Sequence, residues 1–291
     1  MKQPIIVIAG PTASGKTDLA IKLAKKYNGE IICADSRSIY KGMDIGTAKP
    51  TPEEQRQVPH HLLDLVEPDQ AFSAAEFKKL AETKIKDILS RNKVVFIVGG
   101  SGLYIDSIVY DYKFPKASDI KHKKSTMDLT NEQILSRIKK IDGKAAKSLT
   151  PHNRGRLERA YHIIKFGLGS RKRLESLPKN VLYLAIDTDR AVLYERINKR
   201  NTLLFKQGFV QEVKQIIDKY GFEIPGLSGI GYRELTDYYR LQQSLGEALE
   251  NFKKGDRNLA KRQLTWLRRN KDVRWVKSQD DAERLIDQFL R

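Results

Sequence analysis

Gly10-Pro11-Thr12-Ala13-Ser14-Gly15-Lys16-Thr17 fits the pattern G-x-x-x-x-G-K-[ST] at every position, and its flanks decide how it is read. An apolar run, Ile5-Ile6-Val7-Ile8-Ala9, precedes it, and a helical pattern follows from Thr17 to about Lys26. Strand, glycine loop and helix form the setting in which this pattern binds phosphate. The glycines let the backbone wrap an anion, so that successive N–H groups and the helix N-terminus point at it. Lys16 adds a point charge for the outer phosphate, and the Thr17 hydroxyl can hold Mg²⁺. A chance Gly-rich turn would lack the strand and the helix. The expected fold is α/β, with a P-loop NTPase-like parallel sheet flanked by helices.

Glu30-Ile31-Ile32-Cys33-Ala34 is a second β-rich run, ending at Asp35 and Ser36. Ligands bind outside the carboxyl ends of strands in open α/β sheets, so Asp35 falls on the same edge as the phosphate loop. Gly42 to Pro50 reads as loop and continues through Pro52 and Pro59-His60-His61 to Pro68. The paired histidines invite a metal reading, but no Cys or third ligand is spaced to join them, and a loop role is expected. Ser73-Ala74-Ala75-Glu76 is a capping box that opens a helix to about Arg91. Lys93-Val94-Val95-Phe96-Ile97-Val98 follows, a continuous apolar strand as in a sheet buried on both faces. It ends in Gly99-Gly100-Ser101-Gly102, without the acidic residue that motor and switch NTPases place there. NTP hydrolysis is thereby disfavoured.

The 291 residues suffice for one large domain, or for a core with an appended module. Cys33 is the only cysteine, so an intrachain disulfide is impossible, as suits a reducing compartment. No apolar run approaches the ~18 residues of a membrane helix, and a cytoplasmic enzyme is expected.

Charge is distributed unevenly. Lys and Arg total 54 against 36 acidic residues, a net +18. Residues 111–175 alone hold 17 basic and 7 acidic groups. A small diphosphate needs two or three cations, so this excess points to a polyanion, although a basic surface can also serve solubility alone. The segment carries Lys113, Lys116, Lys121, Lys123 and Lys124, helical patterns at about 131–141 and 153–166, and Arg171-Lys172-Arg173. It reads as a mostly helical insertion, residues 111–175, in a core made of residues 1–110 and 176–291. Val181 to Ile186 returns the chain to the sheet. Helices are expected at about 189–206, 208–219, 231–240 and 245–253. Asp256 then reads as the cap of a further basic helix holding Lys261, Arg262, Gln263 and Trp266. Trp266 can stack on an exposed base or pack in a core among snorkelling cations.

These pieces together resemble the tRNA dimethylallyltransferases. The resemblance rests on the phosphate loop, Asp35-Ser36 with Ile39-Tyr40, Gly42-Met43-Asp44-Ile45-Gly46-Thr47-Ala48-Lys49-Pro50, Pro59-His60-His61-Leu62 and Phe72 to Phe77. Gly99-Gly100-Ser101-Gly102-Leu103-Tyr104, Ile230-Gly231-Tyr232 and Ala260 to Trp266 extend it nearly end to end. It implies transfer of a dimethylallyl group from dimethylallyl diphosphate to N6 of the tRNA adenosine just 3′ of the anticodon. Residues Gly10 to Thr17 would then hold a diphosphate leaving group, with Mg²⁺ at Thr17.

By the same resemblance Asp35, Ser101 and Arg200 are the expected catalytic residues. Asp35 would accept the N6 proton, Arg200 would clamp the diphosphate, and Ser101, where relatives commonly have Thr, would touch the target nucleotide. Expected tRNA contacts are Asp35, Ser36, Arg37, Ser38, Ser101, Lys123, Arg156, Arg159, Gly231, Tyr232, Arg233, Lys261, Arg262 and Gln263. Ser38 stands where many relatives have Gln, and Arg154 where an acidic residue is usual. The alternatives are prenylation of free adenine nucleotides and a small-molecule P-loop kinase. The site is complete within one chain, so a monomer is expected.

Overall fold

The computed structural model describes residues 4–114, 126, 128–147, 149–151, 154–166 and 174–291. They form two compact units, one from residues 1–110 and 176–291 and the other from residues 111–175.

The larger unit is built on a six-stranded, all-parallel sheet of order β3-β2-β4-β1-β5-β6. Its strands are β1 (Ile5–Ala9), β2 (Gly29–Cys33), β3 (His60–His61), β4 (Val94–Gly99), β5 (Val181–Ile186) and β6 (Arg274–Val276). Ile6, Val7 and Ile8 pair with Phe96, Ile97 and Val98 on one side and with Leu182, Tyr183 and Leu184 on the other. Ile6, Val7 and Ile8 are fully buried, which explains why the central strands are apolar without alternation. Each such side chain contributes about 1.5–3 kcal/mol on burial.

The helices of this unit before the insertion are α1 (Lys16–Lys26), α2 (Pro52–Gln57), α3 (Ala74–Ser90) and α4 (Gly102–Val109). The smaller unit holds α5 (Asn131–Ile141), α6 (Gly143–Ala146) and α7 (Arg154–Phe166). After β5 come α8 (Arg190–Lys206), α9 (Phe209–Tyr220), α10 (Tyr232–Tyr239), α11 (Leu245–Arg268) and α12 (Gln279–Leu290). One core lies around β1, β2, β4 and α1 with Ile286 of α12, and a second joins α9, α10 and α11 around Phe209, Tyr232 and Phe252.

Three local expectations change. α11 is one continuous helix of 24 residues, so Asp256 is not a cap but a buried residue in its middle. The helix starts at a capping box formed by Ser244 and Glu247. The stretch expected as loop contains α2, where Thr51 and Glu54 form another capping box with Pro52 in the first turn. The two histidines form β3, at the edge of the sheet.

In the smaller unit Ile134 and Ile138 pack on Leu157 and Tyr161. Arg154 braces this unit: its guanidinium donates to the Thr126 and Leu129 carbonyls and pairs with Glu158.

Candidate active site

The carboxyl ends of β1, β2 and β4 open onto a cavity of about 620 Å³. Much of the phosphate loop, Cys33, Asp35 to Ser38, Val98 to Ser101, Gly46 to Ala48, Arg200, Asp256 and Arg262 contribute to its wall.

Gly15 takes φ of 84°, a left-handed conformation that glycine adopts without steric cost, and immediately precedes α1. The first turn of α1 leaves its N–H groups without partners inside the helix, aimed as an anion site requires. Ser14 Oγ is buried with no partner among the described residues, and a Cβ at Gly10 would lie 2.6 Å from it. Among the described residues the Lys16 ammonium donates only to the Pro11 carbonyl, at 3.5 Å. Burial pulls the Lys16 pKa below its ordinary value, with Asp35 opposing the shift and Arg200 adding to it. Two half-buried cations, Lys16 and Arg200, thus stand beside the start of α1 in the cavity wall.

Asp35 is half-buried, and its Oδ1 accepts the Arg37 N–H at 2.8 Å. Oδ2 has no hydrogen bond among the described residues. Ser101 Oγ accepts the Ser36 N–H at 3.0 Å and lies 3.3 Å from Ser36 Oγ. A Cβ at Gly99 would lie 2.0 Å from the Ala34 carbonyl, so glycine is what lets the ends of β2 and β4 converge. Arg200 donates to Asp256 at 2.8 Å, and its Nε is buried without a partner among the described residues. Burial pushes the Asp256 carboxyl up, against the pull of Arg200.

The loop Gly42–Pro50 is fixed from behind by Glu212 of α9. Its carboxylate accepts the N–H groups of Asp44 at 2.8 Å, Ile45 at 2.7 Å and Gly46 at 3.0 Å, and the Tyr232 hydroxyl at 2.5 Å. Lys49, buried at the end of the loop, pairs with Asp44 and Asp64. The histidines of β3 are held in place individually. His61 bonds Glu30 at 2.7 Å, and His60 Nδ1 meets the Val58 carbonyl at 2.7 Å. Arg91 and His61 hold the Glu30 carboxyl down at about 2. Among the described residues no three His, Cys, Asp or Glu side chains gather as a metal site.

A family model described as "IPP transferase" matches residues 38–270. The chain belongs to the IPP transferase family. Relatives in that family include a tRNA dimethylallyltransferase from Bacillus pumilus, 42% identical over 94% of this chain and 89% of its own length. One from Staphylococcus aureus is 42% identical over 98% of this chain and 96% of its own. Among solved structures, the tRNA isopentenylpyrophosphate transferase of Bacillus halodurans superposes with a TM-score of 0.74 at 36% identity, covering 99% of this chain and 96% of that one. A eukaryotic dimethylallyltransferase acting on tRNA gives 0.81 at 25% identity, over 95% of this chain and 74% of its own.

Of the site residues expected from the sequence, Asp35, Ser36, Arg37, Ser38, Ser101, Arg200, Arg262 and the loop from Thr12 to Thr17, Ser14 apart, line one cavity. Arg233 also lines it and, like Lys261, is exposed. Arg37 donates to Ser228 Oγ at 3.3 Å. Arg156 and Arg159 are exposed on α7 of the smaller unit. Lys123 and Arg171-Lys172-Arg173 lie outside the described residues, as do Lys116, Lys121 and Lys124.

Tyr232 and Gln263 line the same cavity, with their polar groups engaged inside the protein. Tyr232 is buried with its hydroxyl on Glu212, and Gly231 sits where a Cβ would meet Phe252 at 2.8 Å. Gln263 directs its amide into the protein. Trp266 combines the two roles left open for it: its indole N–H is held by Asp106 at 2.8 Å, yet it stays 38% exposed.

Sequence reasoning missed Glu212 and Asp256. Both sit on the apolar stripes of their helices, Glu212 between Phe209 and Ile216, and Asp256 between Phe252 and Ala260. A carboxylate on the buried face of an amphipathic helix is the signal that would have found them.

Proposed function

We propose that the chain transfers a dimethylallyl group from dimethylallyl diphosphate to N6 of the tRNA adenosine just 3′ of the anticodon. The observation that carries this reading is the convergence, in one cavity, of a phosphate loop, two cations and a carboxylate on the acceptor side. The relatives' names agree with it.

The N6 lone pair forms a bond to C1 of the dimethylallyl group as the C1–O bond to diphosphate breaks. An adenine amine is a weak nucleophile, because its lone pair is delocalised into the ring. Asp35 takes the N6 proton, and the Arg37 N–H orients the carboxylate for it. Charge that develops on the leaving diphosphate meets Lys16, Arg200 and the N–H groups at the start of α1. The Arg200 donors not engaged by Asp256 suit phosphate oxygens. A divalent ion, Mg²⁺ in this reading, would be held by the Thr17 hydroxyl. That fits a site without a carboxylate cage, since Mg²⁺ takes most of its ligands from phosphate and water. When bound, it neutralises charge on the leaving group.

The target base must leave its stack to enter, which costs a few kcal/mol and least in a single-stranded loop. The basic unit 111–175, with Arg156 and Arg159, would hold the anticodon stem-loop backbone, and no helix among the described residues is long and apolar enough to cross a membrane.

The test is a mass shift on anticodon stem-loop RNA incubated with the protein, Mg²⁺ and dimethylallyl diphosphate. One prenyl group gained on the loop adenosine is the expected result. Prenylation of AMP or ADP instead would reassign the acceptor, and ATP consumption without prenyl transfer would overturn the reading.

A further inference from the structure

Gln263 lies in a basic, largely exposed run of α11, between Arg262 and Thr265, yet its amide faces the protein interior. Oε1 accepts the Thr12 N–H at 2.9 Å, and Nε2 donates to the Gly100 carbonyl at 3.0 Å. Thr12 belongs to the phosphate loop after β1. Gly100 belongs to the turn after β4 that carries Ser101. One side chain thus bridges the turns that follow two neighbouring strands, β1 and β4, and both turns line the cavity.

The fit around the amide is close. A Cβ at Gly100 would lie 2.2 Å from Nε2, so a side chain there would drive the amide away. The bridge also needs an amide: an acceptor must face Thr12 and a donor must face Gly100 within one planar group. A carboxylate supplies only acceptors, and an apolar residue supplies neither.

The geometry points to Gln263 as a positioning residue for the diphosphate site, pinning the start of the phosphate loop to the Gly100-Ser101 turn. This rests on reading the cavity as a diphosphate site. Anion binding by backbone N–H groups depends on their being aimed before the anion arrives. Ser14 N–H is already bonded to the Pro11 carbonyl at 3.2 Å, so Thr12 and Ser14 both have their N–H groups engaged within the protein. The anion is left to the N–H groups of Ala13 and Gly15 and to the donors at the start of α1. Gln263 keeps the loop in the shape that presents those donors, and it sets their separation from Ser101 and Asp35. The same helix carries exposed Lys261 and, at the cavity, Arg262, so a ligand contacting either acts on an element tied directly to the phosphate loop.

The test measures two affinities on Q263A, Q263E and G100A: inorganic diphosphate with Mg²⁺ by calorimetry, and anticodon stem-loop RNA by anisotropy. Loss of this bridge is expected to weaken diphosphate about tenfold and leave the RNA dissociation constant within about twofold. The donor KM should rise in parallel. Q263E should lose at least as much, because its second oxygen opposes the Gly100 carbonyl. The G100A/Q263A double variant should be no weaker than the worse single variant, since both break one contact. An unchanged diphosphate affinity with weakened RNA binding would overturn the inference and make Gln263 an RNA contact. Equal losses of both ligands with a lowered Tm would also overturn it, leaving a general packing role. A wild-type protein that binds diphosphate but transfers no prenyl group to RNA would sink the proposed reaction and leave the Gln263 result standing.

Discussion

At Asp35 the structure engages one carboxylate oxygen, and the proposed reaction needs the other. Oδ1 is engaged by the Arg37 N–H, while Oδ2 has no partner among the described residues. Asp35→Asn preserves the anchored oxygen and removes the base. Turnover should fall by about 10²–10⁴-fold in single-turnover assays, with RNA affinity unchanged. Retained turnover would take the proton acceptor away from Asp35. Lys16 supplies a pH signature. Burial favours its neutral form, so its pKa lies below the ordinary 10.5, whereas a bound anion favours the charged form. Diphosphate affinity should therefore fall as pH rises through the Lys16 pKa, earlier than an ordinary lysine would allow. Lys16→Arg stays charged and should lack that fall, while the titration of diphosphate itself is common to both proteins. Parallel profiles would exclude Lys16 as the titrating group. Both residues were legible in the sequence because their signals are local: a contiguous motif, and a carboxylate at a strand end. Arg200 was nominated only through resemblance, because its relation to the phosphate loop exists only in three dimensions.

The loop Gly42–Pro50 was visible as a motif, but what gives it shape was not. Four donors converge on the Glu212 carboxylate from a helix more than 160 residues later in the chain. Glu212→Ala leaves three backbone N–H groups and a phenol without their acceptor in a buried place. It should cost about 3–5 kcal/mol in urea unfolding. Glu212→Gln keeps an acceptor and should cost less, with a raised donor KM because Gly46 and Thr47 line the cavity. A loss below about 1 kcal/mol for the alanine variant would mean that water replaces the carboxylate. The same scale explains the misread helix. Asp256 read as the cap of a new helix, and the glycine before it, Gly255, costs about 1 kcal/mol inside a helix. Here the stripe Ala248, Phe252, Asp256, Ala260 and Leu264 is buried throughout, and a Cβ at Gly255 would lie 2.7 Å from Ile230 Cγ2. Close packing outweighs propensity. For α2, prolines read as loop punctuation concealed a helix that Thr51, Pro52 and Glu54 specify locally.

For the whole chain, the informative quantity is where the +18 resides. Residues 111–175 form a compact unit with its own apolar core of Ile134, Ile138, Leu157 and Tyr161, so its cations are not needed for the sheet fold. They are also not equivalent. Arg154 binds carbonyls of its own unit and serves folding, whereas Arg156 and Arg159 are exposed on the same helix. In the proposed function the exposed pair is what the unit offers a polyanion, a distinction composition cannot make. Removing Arg156 and Arg159 together tests the proposed RNA face. It should lower the magnitude of the slope of log affinity for stem-loop RNA against log salt by about 2, one counterion per lost phosphate contact. Affinity should fall most at low salt, and diphosphate binding should not change. Arg154→Ala should lower stability, with any RNA effect following the unfolded fraction. A double variant with the wild-type slope would show that the excess charge of this unit serves solubility, and that RNA is held by the larger unit alone, through Arg233, Lys261 and Arg262.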